Sequence, residues 1–150
     1  MTRRSLLAAL LVVSACVMGP RTSRVGPVRE PRGTLAEVRR GRAQFTAELL
    51  AVTDTALLVV RMPARRVALV PYGSITRVRF PELPSSYALR GAAKRADGSP
   101  ETRIPAPELR EELRLWSRYP HVSAELLARL LQAYGQDSLE VLPLCSARDC

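Results

Sequence analysis

The chain has 150 residues, 47% of them hydrophobic, with 23 Lys or Arg against 14 Asp or Glu. That length holds one small domain plus an appendage, and the apolar and charged fractions argue against wholesale disorder. The formal charge of +9 favours polyanionic partners such as nucleic acid, anionic headgroups or acidic envelope polymers. Lys94 is the only lysine, and so strong an arginine skew would also follow from a GC-rich genome. Eight of the twelve prolines gather at 20–31, 81–84 and 100–107, which marks joints between folded pieces.

Arg3 and Arg4 precede an unbroken apolar run from Leu6 to Val13. A bilayer-spanning helix needs about 20 apolar residues, so this run suits the central region of a signal peptide over 1–15. Val13-Ser14-Ala15-Cys16 resembles the lipobox of bacterial lipoproteins, with small side chains directly before the cysteine. The resemblance implies cleavage before Cys16 and diacylglycerol on its thiol, a covalent lipid being the only cofactor expected. Each buried CH₂ of such an anchor contributes ~0.8 kcal/mol. Cleavage would leave 21 basic and 14 acidic side chains, a charge of +7. Val17, and no aspartate, follows the cysteine. By resemblance to enterobacterial sorting, that implies a cell-envelope protein on the outer membrane, facing the periplasm. Thr2-Arg3-Arg4-Ser5-Leu6-Leu7 also resembles a twin-arginine signal, so the export route stays open. Residues 16–32 have no hydrophobic period and read as a lipidated tether, ~3.1 Å per residue if extended as polyproline II.

From Thr34 to Phe80 the pattern becomes period-two alternation and short apolar runs. Leu35–Val38 is a first strand, with Arg40-Gly41 as a turn. Ala43, Phe45, Ala47 and Leu49 alternate with polar residues in a second. Thr53-Asp54-Thr55 turns the chain into Ala56–Val60, a run suited to full burial. Pro63 to Arg65 leads to Arg66–Val70, and Pro71-Tyr72-Gly73 to Ser74–Phe80. Five short strands with tight turns predict a closed or nearly closed small barrel over 33–80. Gly41, Leu49-Leu50, Asp54, Leu57-Leu58-Val59, Val67 to Val70, Ile75 and Val78 give an order similar to the Sm-like fold and related SH3-like barrels. The Sm pattern has a glycine where this chain has Thr46 or Ala47, and an RNA-contacting asparagine where it has Leu58. The resemblance therefore implies the barrel, over a third of the chain, and not RNA binding.

Residues 81–106 are polar and turn-rich and are expected to form a flexible linker. Pro107 suits a first helical position, with Glu108, Glu111 and Glu112 in the early turns. Leu109, Leu113 and Trp116 follow at helical spacing. Ser123 opens a second helix whose Leu126, Leu127, Leu130, Leu131 and Tyr134 share a face, and Gly135 closes it. The expected fold class is thus α+β: a five-stranded barrel followed by a helical hairpin over 107–135. The hairpin's apolar side should pack across the barrel or dock another envelope protein. The tail 136–150 offers a last strand at Leu139–Leu142, then Cys145 and Cys150, which an oxidising compartment would pair in a local loop.

No catalytic constellation stands out. His121 is the only histidine and falls between the helices. No serine sits in a nucleophile elbow, no glycine-rich loop opens a helix, and one His with two terminal Cys is too few for zinc. Asp54 reads as a turn aspartate capping backbone N–H groups. The sequence thus predicts a membrane-anchored, non-enzymatic binding or scaffold module without a metal. Arg65, Arg66, Arg77 and Arg79 are the expected contacts to an anionic surface, and an envelope protein or anionic envelope polymer is the expected partner. Nucleic acid is the alternative partner, should the amino terminus not be a signal and the chain be a cytoplasmic Sm-like protein. A hydrolase or redox role for Cys145 and Cys150 is a third. No residue pattern selects an oligomeric state.

Overall fold

The computed structural model describes residues 32–144 other than 92, 95, 98 and 99. The signal peptide, Cys16, nearly all of the tether, and the Cys145–Cys150 pair lie outside the described residues.

Four strands form a meander. β1 (Leu35–Arg40) pairs antiparallel with β2 (Ala43–Val52) through Gly41 and Arg42. Gly41 has φ 55, a conformation that costs glycine little. β3 (Ala56–Arg61) follows a turn in which the Thr53 hydroxyl accepts from the Ala56 N–H at 3.0 Å. β4 (Arg66–Pro71) pairs with β3 from Arg61↔Arg66 to Ala56↔Pro71. A single 3-10 turn, Tyr72–Ser74, then redirects the chain, and β5 (Arg77–Arg79) returns to pair with β1.

The described sheet is larger and more open than five strands in a closed ring. β6 (Leu89–Arg90) adds to β5, while β7 (Ala93–Lys94) and β8 (Pro100–Glu101) form a separate small ribbon. β9 (Glu140–Val141) pairs with β4 in parallel, giving the order β6-β5-β1-β2-β3-β4-β9. The expected barrel does not close. The free edge of β4 is taken by β9 instead of β5, and β5 is only three residues long. The fold is α+β, a seven-stranded mixed sheet with two helices.

A bulge between Leu49 and Ala51 divides the packing. Leu49 faces the inner core, while Leu50 and Ala51 both turn outward. The inner core joins Val38, Leu49, Leu57, Val59, Val70, Tyr72, Ile75 and Val78, all at most 2% exposed. Leu83, Tyr87 and Leu89 belong to it as well. Part of the segment expected to be a flexible linker is therefore core, anchored by three apolar side chains spaced along a polar stretch.

The expected hairpin with one apolar side is also corrected, because its two helices serve opposite sides of the sheet. α1 (Pro107–Trp116) sends Leu109, Leu113 and Trp116 into the inner core. α2 (Ala124–Ala133) lies outside, where Leu126, Leu127, Leu130, Leu131 and Tyr134 pack on Leu50, Ala51, Leu58, Val60 and Val67. The helix ends follow local chemistry. Ser123 Oγ accepts from the Leu126 N–H at 3.1 Å. At the other end Gly135 has φ 65, its N–H reaches the Gln132 carbonyl, and the Gln136 N–H reaches that of Leu131. The link between the helices is tied to the bulge, since Arg118 and Tyr119 donate their N–H groups to the Leu49 and Leu50 carbonyls at 3.0 and 2.8 Å.

Candidate functional site

Three polar groupings stand out, and two are closed within the protein. At one end of the inner core, Asp54 in the β2–β3 turn meets Arg110 at 3.6 Å and Arg114 at 3.2 Å, both on α1. Arg114 also donates to the Val52 carbonyl at 3.1 Å and pairs with Glu111. Beside them the Tyr72 hydroxyl donates to the Thr53 carbonyl at 3.0 Å. Burial pushes the Tyr72 phenol up to about 12, with Asp54 adding to the shift and the two arginines opposing it. Asp54 therefore fastens a turn to a helix through its side chain, and the backbone N–H groups it was expected to cap, those of Thr55 and Ala56, go to the Thr53 hydroxyl instead.

At the other end Glu140 of β9 pairs with Arg61 at 2.5 Å and with Arg66 at 3.6 Å. The Arg61 guanidinium lies 4.9 Å from the centre of the Phe45 ring. Arg40 donates to the Pro143 carbonyl at 2.6 Å and the Ser74 carbonyl at 3.3 Å. Burial and then the neighbouring Arg61 lower the Arg40 pKa, and Glu140 partly restores it. This cluster holds the chain's last described strand against β4. Gln136 continues the same edge as if it were backbone. Its side-chain carbonyl accepts from the Val67 N–H at 2.5 Å and its amide donates to the Val67 carbonyl at 3.1 Å.

The third grouping faces outward. In β1 and β5, Val38 and Val78 are buried, so Glu37, Arg39, Arg77 and Arg79 project from the opposite side. Register makes Arg39 the direct neighbour of Arg77, and Arg77 that of Arg90 on β6. The row runs Arg90–Arg77–Arg39–Gln44, and all four side chains are exposed. Arg79 sits across from Glu37, with 3.7 Å between guanidinium and carboxylate. No described carboxylate pairs with Arg77 or Arg90.

The four arginines expected to act together do not meet. Arg77 and Arg79 share the outward face with Arg39 and Arg90. Arg66 lies on the other side of the sheet, at Glu140. Arg65, in the β3–β4 turn with φ 51, lies 5.8 Å from the Tyr134 ring. Sequence reasoning missed Arg39, and it offers Arg90 only as part of the polar stretch 90–95, a solvated loop that could touch an anionic surface. Arg39 was accessible from the Glu37, Val38, Arg39 alternation, had the first strand been extended past Val38. Arg90 lies in a two-residue strand too short to leave a period. His121 is exposed, and among the described residues no three His, Cys, Asp or Glu side chains could together hold a metal ion. No described helix is long and apolar enough to cross a membrane.

No protein-family profile, curated protein or solved structure matches this chain.

Proposed function

We propose that this chain is an exported lipoprotein of the cell envelope, acylated on Cys16, whose α+β domain is a non-enzymatic binding module. The observation that carries the reading is the run Val13-Ser14-Ala15-Cys16 behind Arg3, Arg4 and eight apolar residues. The apolar run is too short to span a bilayer permanently and suits a cleaved leader. The anchor would be on the outer membrane, with the domain facing the periplasm. Cys145 and Cys150 would pair there, since both thiols would be in an oxidising compartment. Exposed arginines on the sheet favour an anionic partner surface, whether an envelope protein or an envelope polymer.

The mass of the mature amino-terminal peptide, recovered from membranes of wild type and Cys16→Ala, tests this reading. A diacylglyceryl-modified Cys16 that disappears in the variant is the expected result. A soluble chain beginning at Met1 would overturn it.

A second reading has a specific observation in its favour. The strand order β5-β1-β2-β3-β4, with one 3-10 turn before β5, supports treating residues 33–80 as an opened relative of the Sm-like or SH3-like barrel. With the basic outer face, that makes a cytoplasmic nucleic-acid binder the alternative. It requires an unprocessed amino terminus and an RNA affinity that falls steeply with salt.

A further inference from the structure

We propose that the outer face of β1, β5 and β6 is the surface by which the domain lies on anionic phospholipid headgroups, with Arg39, Arg77 and Arg90 as its contacts. The inference rests on the lipoprotein reading, which puts a bilayer within reach, and it assigns an orientation which that reading leaves open.

The first argument is an uncompensated cost. Neighbouring strands lie ~4.8 Å apart, so Arg90, Arg77 and Arg39 sit in a row whose backbone positions span about 10 Å. Like charges directly opposite in a sheet are destabilising. In the two other groupings each arginine reaches a carboxylate, Arg110 and Arg114 sharing Asp54 and Arg61 and Arg66 sharing Glu140. On the outer face, among the described residues, Glu37 pairs with Arg79, and Arg39 donates to the Gly41 carbonyl at 3.3 Å with no carboxylate partner. Among the described residues of this face, four arginines against one glutamate leave a net charge of +3, complementary to an anionic surface.

The second argument is reach. Gly33 stands seventeen positions after Cys16. Even a fully extended chain at ~3.5 Å per residue spans no more than about 60 Å. The chain then enters β1, the strand at one side of the basic patch, with Gly33 fixed by its N–H to Glu48 Oε1 at 3.0 Å. An anchored domain meets its own bilayer at high effective concentration, and each arginine near an anionic surface strengthens binding about fivefold.

The test is co-sedimentation of the full chain with phosphatidylcholine vesicles and with vesicles that also contain phosphatidylglycerol. The leader and any lipid act on both kinds, so the ratio of the two affinities isolates the charge term. The R39Q/R77Q/R90Q variant is expected to lose that ratio by on the order of a hundredfold at low salt, with its thermal midpoint retained. R39K/R77K/R90K should keep it, as should R65Q/R66Q, whose charges lie elsewhere. Inorganic phosphate at millimolar concentration should not compete. An unchanged ratio in the glutamine variant, or an equal loss in R65Q/R66Q, would overturn the assignment. So would competition by millimolar phosphate, or tighter binding to a homopolymeric RNA at matched phosphate and salt. The mass of the amino-terminal peptide from the same preparation separates the two ideas. A lipidated Cys16 with arginine-independent vesicle binding sinks this inference alone. An unmodified Cys16 with arginine-dependent binding sinks the anchor and supports the face.

Discussion

On β2, β3 and β4 the outer side of the sheet presents Leu50, Ala51, Leu58, Val60 and Val67, and α2 lies over them. On β1, β5 and β6 the same side presents Glu37, Arg39, Arg77, Arg79 and Arg90, and α2 does not reach them. Both halves belong to one sheet, so apart from the bulge between Leu49 and Ala51 the difference comes from side chains. Where a strand is buried on both sides it reads as an unbroken apolar run, as Ala56–Val60 does. Where one side meets water it alternates, as Arg77-Val78-Arg79 does. An amphipathic helix settles on the first kind of surface and cannot settle on the second without burying guanidinium groups. The outer side of the sheet is thereby divided into a half covered by α2 and a half that α2 leaves bare.

The sharpest way to break that division is to truncate one residue in each half. Leu50→Ala removes a fully buried side chain beneath α2 and should cost about 3 kcal/mol. Arg39→Ala, on the bare half of the same sheet, should change stability by no more than about 0.5 kcal/mol. Urea unfolding of both variants checks the contrast. Equal costs would show that the basic face is packed against something and is not open.

Alkali tests whether the two halves unfold as one body, because they share an inner core containing Tyr72. Its phenol is pushed from 10 up to about 12 by burial, so the folded state holds the proton longer than the unfolded state. Stability from this group is complete below pH 10 and is lost as the pH rises through 12, by an amount on the order of 2 kcal/mol. Fluorescence of Trp116, near the inner core, and hydrogen exchange in α2 should report a single coincident transition. Tyr72→Phe should weaken that pH dependence, leaving the part due to Tyr87, whose phenol is also pushed up by burial. Separate transitions would mean that α2 releases independently of the inner core.

A smaller effect is expected at the edge where the covered half ends. Gln136 is buried and satisfies both backbone groups of Val67. Gln136→Ala leaves a buried N–H and a carbonyl without partners, at about 1–2 kcal/mol. Gln136→Glu keeps the acceptor for the Val67 N–H but sets an oxygen against the Val67 carbonyl, so it should not rescue. Hydrogen exchange at the Val67 amide, faster in both variants, reads this directly.

Much of the architecture was legible because local chemistry and tertiary position agree. The first four strands, Pro107 and Ser123 at the helix starts, Gly135 at the close and a strand near Leu139–Leu142 appear where periodicity and capping put them, while the strand expected over 74–80 shrinks to Arg77–Arg79 behind a 3-10 turn. The opening of the ring was not legible, because β9 reaches β4 from some 70 residues away and nothing in β4 records its partner. Nor was the parting of the helices. Two apolar stripes look alike whether they face one core or two, and the bulge that turns Leu50 and Ala51 outward together has no marker in the sequence. Gly33 is a similar case. A Cβ there would come within 1.9 Å of the Leu49 carbonyl oxygen, a demand visible only once the chain ends are brought together. For the candidate site, Arg77 and Arg79 followed from alternation in one strand. Their union with Arg39 and Arg90, and the separation of Arg65 and Arg66 from them, depends on pairing register between strands.

The smallest expected effect has the opposite sign and is the most informative about the bare half. Arg77 stands between Arg39 and Arg90, so it carries both like-charge contacts of the row. Replacing it with threonine, which suits a half-exposed strand, removes both repulsions and leaves Val78 in the core. Arg77→Thr should therefore raise stability by about 0.5 kcal/mol at low ionic strength. The gain should fade toward zero at 1 M salt, where screening acts over ~3 Å. Paired urea titrations at the two salt concentrations measure it. A surface kept for recognition carries charge at a cost to stability, and a gain on deletion is the sign of that. If Arg77→Thr destabilises instead, the arginine stems are covering apolar surface, and the row is then part of the fold and not an open face.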